Sequence, residues 1–251
     1  MEEFHLVKLV MLMAVGVIAG FINTLAGGGS FLTVPVLIFM GMPPTTANAT
    51  NRLAVFLQSL TAVARFRTYG VFPLKFSLIV TIPAVLGSVF GAWLAMVISE
   101  EAFKNYLAAF MVVMTLATFL RPGKMLEKRE IDYTFGRWVL IWLVFFGIGI
   151  YGGFLQAGVG FLVLAGLLLS GHDFVSGNAI KTFIILMFTL AALIIFIIGG
   201  MVEYLPGAVL GIGSMIGAAV GARTTVKKGN VFVQRFVVAM VIVFALLLLF
   251  R

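Results

Sequence analysis

Long apolar stretches separated by short polar segments run along almost the whole chain. A transmembrane helix needs about 20 mostly apolar residues to cross a hydrocarbon core of roughly 30 Å. Several stretches approach this length with few or no charges, the shorter ones extended by flanks poor in polar residues: Leu9–Phe21, Phe76–Ile98, Phe103–Leu120, Val139–Ile150, Phe183–Ile198 and Val231–Phe250. The pattern therefore predicts an all-α polytopic membrane protein.

The apolar pattern contains an internal repeat with a constant spacing of 130 residues. The matched positions are Gly28 with Gly158, Phe31-Leu32 with Phe161-Leu162, Gly41 with Gly171, Asn48-Ala49 with Asn178-Ala179, Gly70 with Gly200, Gly87 with Gly217, and Gly91-Ala92 with Gly221-Ala222. Self-similarity at a fixed period is the signature of a duplicated structural unit. We expect a first transmembrane repeat at 1–120, a basic linker at 121–137 and a second repeat at 138–251.

Each repeat contains about five predicted helical elements. The expected pairs are 7–24 with 138–154, 31–40 with 161–170, 47–64 with 177–197, 73–98 with 205–222, and 103–120 with 231–250. The second element of each repeat is too short to span comfortably at 1.5 Å per residue. It is therefore predicted to be a half-helix, either re-entrant or joined to the first element through broken backbone.

Charged residues, only 10% of the chain, predict how the repeats cross the membrane. Lys and Arg gather at 65–75, 121–137 and 223–235, which should be cytoplasmic, whereas Glu100, Glu101 and Glu203 mark connections that should lie outside. Under the 130-residue shift the loop charge changes sign between the repeats. This favours an inverted-topology repeat with both termini outside. A parallel duplication is the alternative. The net charge of +8 does not indicate nucleic-acid binding, because the basic residues sit in short loops.

Glycine-rich breaks interrupt both repeats at matching positions. The first break contains Gly27, Gly28, Gly29 and Ser30, and the second contains Gln156 and Gly158. Broken backbone at membrane depth is tolerated only where it is buried or lines a cavity, and paired breaks indicate a transporter's substrate site. The N–H groups that open the following half-helix suit an anion. Close helix packing is the alternative role for these glycines.

Polar residues near the start of the third helix of each repeat complete the predicted site. Asn48, Asn51 and Arg52 occupy this position in the first repeat, and Asn178 and Lys181 in the second. Residues three apart share a helix face. A cation inside a membrane helix is costly and usually faces a cavity or a partner, so Arg52 and Lys181 could flank a central anion. The alternative is that one or both extend to the membrane interface.

Other patterns do not indicate chemistry. There are no cysteines, and no HExxH or paired-carboxylate motif occurs, so we expect no enzyme activity, metal or cofactor. His172 and Asp173 are interpreted as a solvated turn, and Glu203 as a charge at a helix start. The small-residue spacing of Gly87 with Gly91, and of Gly213, Gly217 and Gly221, indicates helix packing.

The first break and the turn after it carry a family resemblance. Residues Ala26-Gly27-Gly28-Gly29-Ser30-Phe31-Leu32-Thr33-Val34-Pro35-Val36-Leu37, followed by Gly41 and Ala47-Asn48-Ala49-Thr50-Asn51, resemble the TauE/SafE sulfite-exporter family of prokaryotic permeases. The second repeat has Ile180-Lys181 where the first has Thr50-Asn51. The resemblance implies a transporter of small sulfur-containing anions such as sulfite, sulfoacetate and other sulfonates in the plasma (inner) membrane.

The leading hypothesis is a secondary transporter with a midplane anion site and alternating access. An anion channel and a membrane-embedded assembly or chaperone factor are the alternatives. The expected partners are the small anion and the lipid bilayer, with no nucleic acid. The coupling ion, a proton or sodium, and assembly into a homo-oligomer are left open.

Overall fold

The computed structural model describes residues 2–107, 109 and 132–249, and these residues form helices joined by short turns. The helices are α1 (Glu2–Leu25), α2 (Ser30–Phe39), α3 (Pro44–Thr68), α4 (Leu74–Val97), α5 (100–107), α6 (Phe135–Phe154), α7 (Val159–Leu169), α8 (Phe174–Ile198) and α9 (Tyr204–Leu249). Most of the predicted linker 121–137 and of the predicted fifth element 103–120 lies outside the described residues. The predicted short elements are present as α2 and α7, with 10 and 11 residues.

Within the described ranges, five helices are long and apolar enough to cross a membrane: Leu6–Leu25, Leu74–Val97, Phe135–Phe154, Phe174–Ile198 and Tyr204–Met240. Exposed apolar residues line their outer faces, as Leu78, Ile82 and Leu86 do at four-residue spacing on α4. Lipid is the solvent that accepts such a face. The prediction of a polytopic helical membrane protein is confirmed.

α3 differs from these spans although it is as long as α8, with 25 residues. It buries Asn48, Asn51, Arg52 and Gln58, so these four polar residues face protein instead of lipid. Its apolar counterpart α8 buries Asn178 and Lys181 among many apolar neighbours. The two third helices therefore form the polar interior of the molecule.

Glycines with a left-handed backbone conformation follow the C-terminal ends of two pairs of equivalent helices. Gly41, Gly70, Gly171 and Gly200 follow α2, α3, α7 and α8 with φ of 98°, 69°, 87° and 67°. Residues with a side chain rarely adopt this conformation, and glycine is the usual residue just past a helix C-terminus. This requirement explains why these glycines recur at 130-residue spacing in the sequence.

The first helix of each repeat packs against the fourth helix of the other repeat. A Cβ added at Gly87 of α4 would lie 2.1 Å from the carbonyl oxygen of Phe146 in α6. A Cβ added at Gly217 of α9 would lie 2.0 Å from the carbonyl oxygen of Val17 in α1. The predicted packing role of these glycines is confirmed, because only glycine permits such close backbone approach.

In both repeats, a backbone N–H at the start of the third helix donates to a side chain at the equivalent position after the fourth helix. The Glu100 carboxylate accepts a hydrogen bond from the Thr45 N–H at 3.0 Å. The side-chain oxygen of Asn230 accepts one from the Val175 N–H at 2.9 Å. Both donors and both acceptors stand 130 residues apart in the sequence. The repeat is thus present in side-chain contacts. Its inversion relative to the membrane stays a prediction.

α9 is longer than any predicted element, at 46 residues. The sequence predicts separate helices at 205–222 and 231–250, whereas the helix continues to a break at Gly229, where φ is 72° and ψ is −174°. In the first repeat the fourth helix ends at Val97, and Ile98 is extended with ψ of 150°. The two predicted helices are therefore present as two parts of α9.

Candidate functional site

The two glycine-rich breaks contact each other in the interior of the molecule. A Cβ on Gly27 would lie 2.3 Å from the carbonyl carbon of Gly160, so the two backbones touch. The rings of Phe31 and Phe161, at the starts of α2 and α7, stack with centroids 6.3 Å apart. All the predicted site residues are buried in this conformation: Gly27, Gly28, Gly29, Ser30, Asn48, Asn51, Arg52, Gln156, Gly158, Asn178 and Lys181.

Arg52 of α3 closes the C-terminal end of α6. One terminal nitrogen donates to the carbonyl oxygen of Gly152 and to the side-chain oxygen of Gln156, both at 2.9 Å. The other donates to the carbonyl oxygen of Gly153 at 2.6 Å. The guanidinium also lies over the ring of Phe196, 4.9 Å from its centroid. The planar fork of arginine suits this divided set of acceptors.

Lys181 of α8 closes the C-terminal end of α1 in the same manner. Its Nζ donates to the carbonyl oxygens of Asn23 and Thr24, each at 3.0 Å. A third hydrogen bond goes to the side-chain oxygen of Asn178, one turn earlier on the same helix. An ammonium group has three donors. All three are therefore used.

Asn48 and Asn178 reinforce these two ends from equivalent positions. Asn48 donates to the carbonyl oxygen of Phe154 at 3.0 Å and accepts from the Gln156 N–H at 3.1 Å. Asn178 donates to the carbonyl oxygen of Leu25 at 2.9 Å. The third helix of each repeat therefore holds the end of the first helix of the other repeat.

This arrangement is what helix electrostatics favours. The last carbonyl groups of a helix have no partner within the helix and carry partial negative charge, so a cation stabilises them. Both cations are 0% exposed. The alternative in which one or both extend to the membrane interface is therefore wrong: each side chain is enclosed by the end of a helix from the opposite repeat.

Asn51 has a different role from Asn48, since its contacts stay within the first repeat. Its side-chain nitrogen donates to the Ser30 hydroxyl at 3.3 Å, and its oxygen accepts from the Thr33 hydroxyl at 2.6 Å. These bonds attach the start of α2 to α3. The second repeat has Lys181 at the position that matches Asn51 in the 130-residue register.

Several polar residues at the centre were missed by the sequence analysis. Asn23 donates to Gln58 at 3.2 Å, and the Gln156 amide reaches the Thr189 hydroxyl at 3.5 Å. The helical period offers one signal that could have found Gln58, because it follows Asn51 by seven residues and so shares its face of α3. Thr189 offers the same signal, because it follows Asn178 by eleven residues, about three helical turns, and it also matches Ser59 in the repeat.

Two buried polar atoms on α3 lack a hydrogen-bond partner within the described chain: Nε of Arg52 and Oγ of Ser59. The repeat explains the second. Thr189, the counterpart of Ser59, contacts Gln156, whereas the residue that matches Gln156 in the first repeat is Ala26, which has no polar side chain. Buried polar groups are usually satisfied, so such atoms are where a ligand or water would bind.

The remaining chemical candidates occupy helix ends. Asp173 lies in the turn between α7 and α8 and caps α8 by accepting from the Ser176 N–H at 2.7 Å. The His172 ring packs against Phe76 with centroids 4.3 Å apart. Glu203 immediately precedes α9, as predicted. In the part of the chain that the structure describes, no three His, Cys, Asp or Glu residues are placed to hold a metal ion.

The chain is a polytopic helical membrane protein of the class built from internal repeats with discontinuous helices. Its two broken helices meet at a buried centre that contains two cations. The chain belongs to the sulfite exporter TauE/SafE family, whose sequence model matches residues 12–248. The resemblance seen in the first break is thereby confirmed over nearly the whole chain.

Similar proteins cover almost the same length. A "Probable membrane transporter protein" of Haemophilus influenzae is 31% identical over 236 residues, covering 92% of this chain and 91% of that protein. "Probable membrane transporter protein ORF9" of a Sinorhizobium species is 29% identical, with 98% and 93% covered. "Probable membrane transporter protein YfcA" of Escherichia coli K12 is 29% identical, with 95% and 90% covered. No solved structure matches this chain.

Proposed function

We propose that this protein is a secondary transporter of a small sulfur-containing anion, such as sulfite, sulfoacetate or another sulfonate. The family to which the chain belongs is described as a sulfite exporter, and its relatives are named as probable membrane transporters. The observation that carries the proposal is an imbalance of buried charge at the centre of the molecule.

Arg52 and Lys181 are fully buried, and their hydrogen-bond partners are carbonyl and amide oxygens. The acidic residues whose side chains are described, Glu100, Glu101, Asp132, Asp173 and Glu203, are all exposed or partly exposed near helix ends. Removing a charge from water without an opposite charge beside it is costly. A bound anion would offset this cost, whereas a neutral or cationic substrate would leave it uncompensated.

The breaks supply the remaining contacts for an anion. The N–H groups of Phe31, Leu32 and Thr33 at the start of α2 donate to the carbonyl oxygens of Gly28 and Gly29, and the N–H of Phe161 in α7 donates to Gly158. The first turns of both helices still carry the partial positive charge of the helix dipole, which favours an anion. The unpartnered Nε of Arg52 adds a charged donor. In the proposed site the oxyanion lies near the midplane between the breaks, within the field of both cations. Backbone N–H groups, Asn48 and Asn51 line it from the first repeat.

The contacts of the third helices support the inverted repeat that alternating access requires. Gln156 bonds to Arg52 on α3 and to Thr189 on α8. Asn23 bonds to Gln58 on α3, and its carbonyl accepts from Lys181 on α8. Through these shared partners, residue 52 of α3 is matched with residue 189 of α8, and residue 58 with residue 181. The two helices are therefore antiparallel. Equivalent helices that run in opposite directions are what an inverted duplication produces.

In the proposed cycle, one repeat moves against the other and opens the sealed centre to each side in turn. The interfaces between α1 and α9 and between α4 and α6 join the repeats, so they are where this motion would occur. With the basic loops in the cytoplasm, both termini would face the outside of a prokaryotic inner membrane.

Uptake of radiolabelled sulfite or sulfoacetate into proteoliposomes tests the proposal. Accumulation that depends on an imposed ion gradient is the expected result. Movement of the anion down its own gradient as an electrical leak, with no accumulation, would instead indicate a channel. A folded protein that moves no sulfur oxyanion would contradict the proposal and favour an assembly or chaperone role.

A further inference from the structure

The C-terminal end of α1 forms a group of three oxygens around a single positive charge. The carbonyl oxygens of Asn23 and Thr24 and the side-chain oxygen of Asn178 all accept from Nζ of Lys181. Thr24, Asn178 and Lys181 are each 0% exposed. The three oxygens therefore form a closed site for one monovalent cation, and the ammonium group of Lys181 is that cation.

The oxygens are held in place independently of the lysine. The carbonyl groups belong to the last turn of α1, which ends at Leu25. The Asn178 amide is oriented by its own hydrogen bond to the Leu25 carbonyl at 2.9 Å, which turns the amide oxygen away from that carbonyl. The site should keep its three oxygens in similar positions when the ammonium group is removed.

In transporters with discontinuous helices, carbonyl oxygens at the ends of half-helices coordinate the coupling Na⁺. The end of α1 has this chemistry, but the Lys181 ammonium occupies it. The end of α6 has a comparable set of oxygens, occupied by the Arg52 guanidinium. Both positions where such an architecture would bind a mobile cation are thus taken by side chains from the opposite repeat.

We infer that Lys181 is a built-in substitute for a bound sodium ion, so that the end of α1 needs no Na⁺ and becomes a small-cation site when the lysine is shortened. The link to transport rests on the proposed function: anion transport should then proceed without Na⁺ at this site. The cation site itself does not depend on the identity of the substrate.

Two substitutions separate the loss of charge from the creation of space. Lys181→Ala removes the charge and leaves room among the three oxygens. Lys181→Met removes the same charge but fills the space with a side chain of similar length. The measurement is the melting temperature of the purified protein in detergent, in NaCl, KCl or choline chloride at equal ionic strength.

We expect the Lys181→Ala protein to be stabilised by Na⁺ or K⁺ over choline, saturably and by on the order of 3 °C. The wild-type and Lys181→Met proteins should melt at the same temperature in all three salts. A folded Lys181→Ala protein without a cation-specific shift would overturn the inference. So would an equal Na⁺ shift in the wild type.

A second measurement covers the case in which Lys181→Ala does not fold. The wild-type protein should bind no radiolabelled Na⁺, and its anion uptake should be unchanged when choline replaces Na⁺. Saturable Na⁺ binding or Na⁺-dependent uptake by the wild type would contradict the inference. Absence of uptake for every sulfur oxyanion would remove only the proposed function, because the Na⁺-binding and melting results need no substrate.

Discussion

The ends of α1 and α6 are closed by the same device made from different residues. At α6, the Arg52 fork divides its bonds between two carbonyl oxygens and the Gln156 side chain. At α1, the Lys181 ammonium places all its bonds on one compact group of oxygens. Among the described residues, Nε of the arginine has no hydrogen-bond partner. In the proposed anion site, the first repeat would therefore supply the free donor, whereas Lys181 would contribute mainly its charge.

The same asymmetry continues along the third helices. Thr189 on α8 contacts Gln156, while its counterpart Ser59 on α3 is buried with no hydrogen-bond partner among the described residues. The backbone turns and interhelical glycines of the two repeats are alike, but the polar side chains at the centre are not. The duplicated frame positions the breaks, and the substitutions within it distinguish the two sides of the site.

The largest effect is expected from Arg52→Met. The change leaves the Gly152 and Gly153 carbonyl oxygens and the Gln156 side chain without their donor. Each buried acceptor left unpaired costs about 1–3 kcal/mol, so the total loss should be about 3 kcal/mol or more. The melting temperature in detergent measures it, with exposed Arg65→Met as the matched control. Equal melting temperatures for the two variants would show that Arg52 does not hold the end of α6.

The next effect concerns the contact between the breaks. Gly27 and Gly41 both have positive φ, of 100° and 98°. A Cβ on Gly27 would meet the Gly160 backbone, whereas a Cβ on Gly41 has nothing within 4 Å. Gly41→Ala should cost only backbone strain, about 1–2 kcal/mol. Gly27→Ala adds a clash with backbone that cannot move aside, about 1–3 kcal/mol more.

Melting temperatures of the two alanine variants measured side by side isolate the contact, because the two glycines have nearly the same positive φ. A Gly27→Ala protein as stable as Gly41→Ala would mean that the two breaks do not touch.

The smallest effect distinguishes Ser59 from Thr189. Ser59→Ala removes a buried hydroxyl that has no partner in the described part of the chain, so it should be neutral or slightly stabilising. Thr189→Val removes a hydroxyl that contacts Gln156 and should cost about 1 kcal/mol. Thermal melting of both variants provides the comparison. A larger loss for Ser59→Ala would mean that its hydroxyl has a partner in the folded protein.

Most of the fold could be predicted because it depends on local signals. Apolar length predicted the spans, and glycines required at positive φ made the repeat visible in the sequence. The sequence predicts which residues lie in the candidate site but not which groups they bond to. The sequence indicates only that Arg52 and Lys181 could flank a central anion. In the structure they bond to backbone carbonyl groups 100 to 158 residues away, besides the side chains of Gln156 and Asn178. Backbone carbonyls carry no sequence signature, so nothing in the residue pattern could reveal these acceptors.

The central claim is that two buried cations, which have no acidic partner among the described residues, hold a small oxyanion. Equilibrium binding of radiolabelled sulfite and sulfoacetate to the purified protein tests this claim most directly. We predict saturable binding of at least one of these anions to the wild type and to the control Arg65→Gln. Arg52→Gln and Lys181→Gln should each weaken this binding by tenfold or more, which corresponds to about 1.4 kcal/mol. Unchanged affinity in both folded glutamine variants would contradict the account.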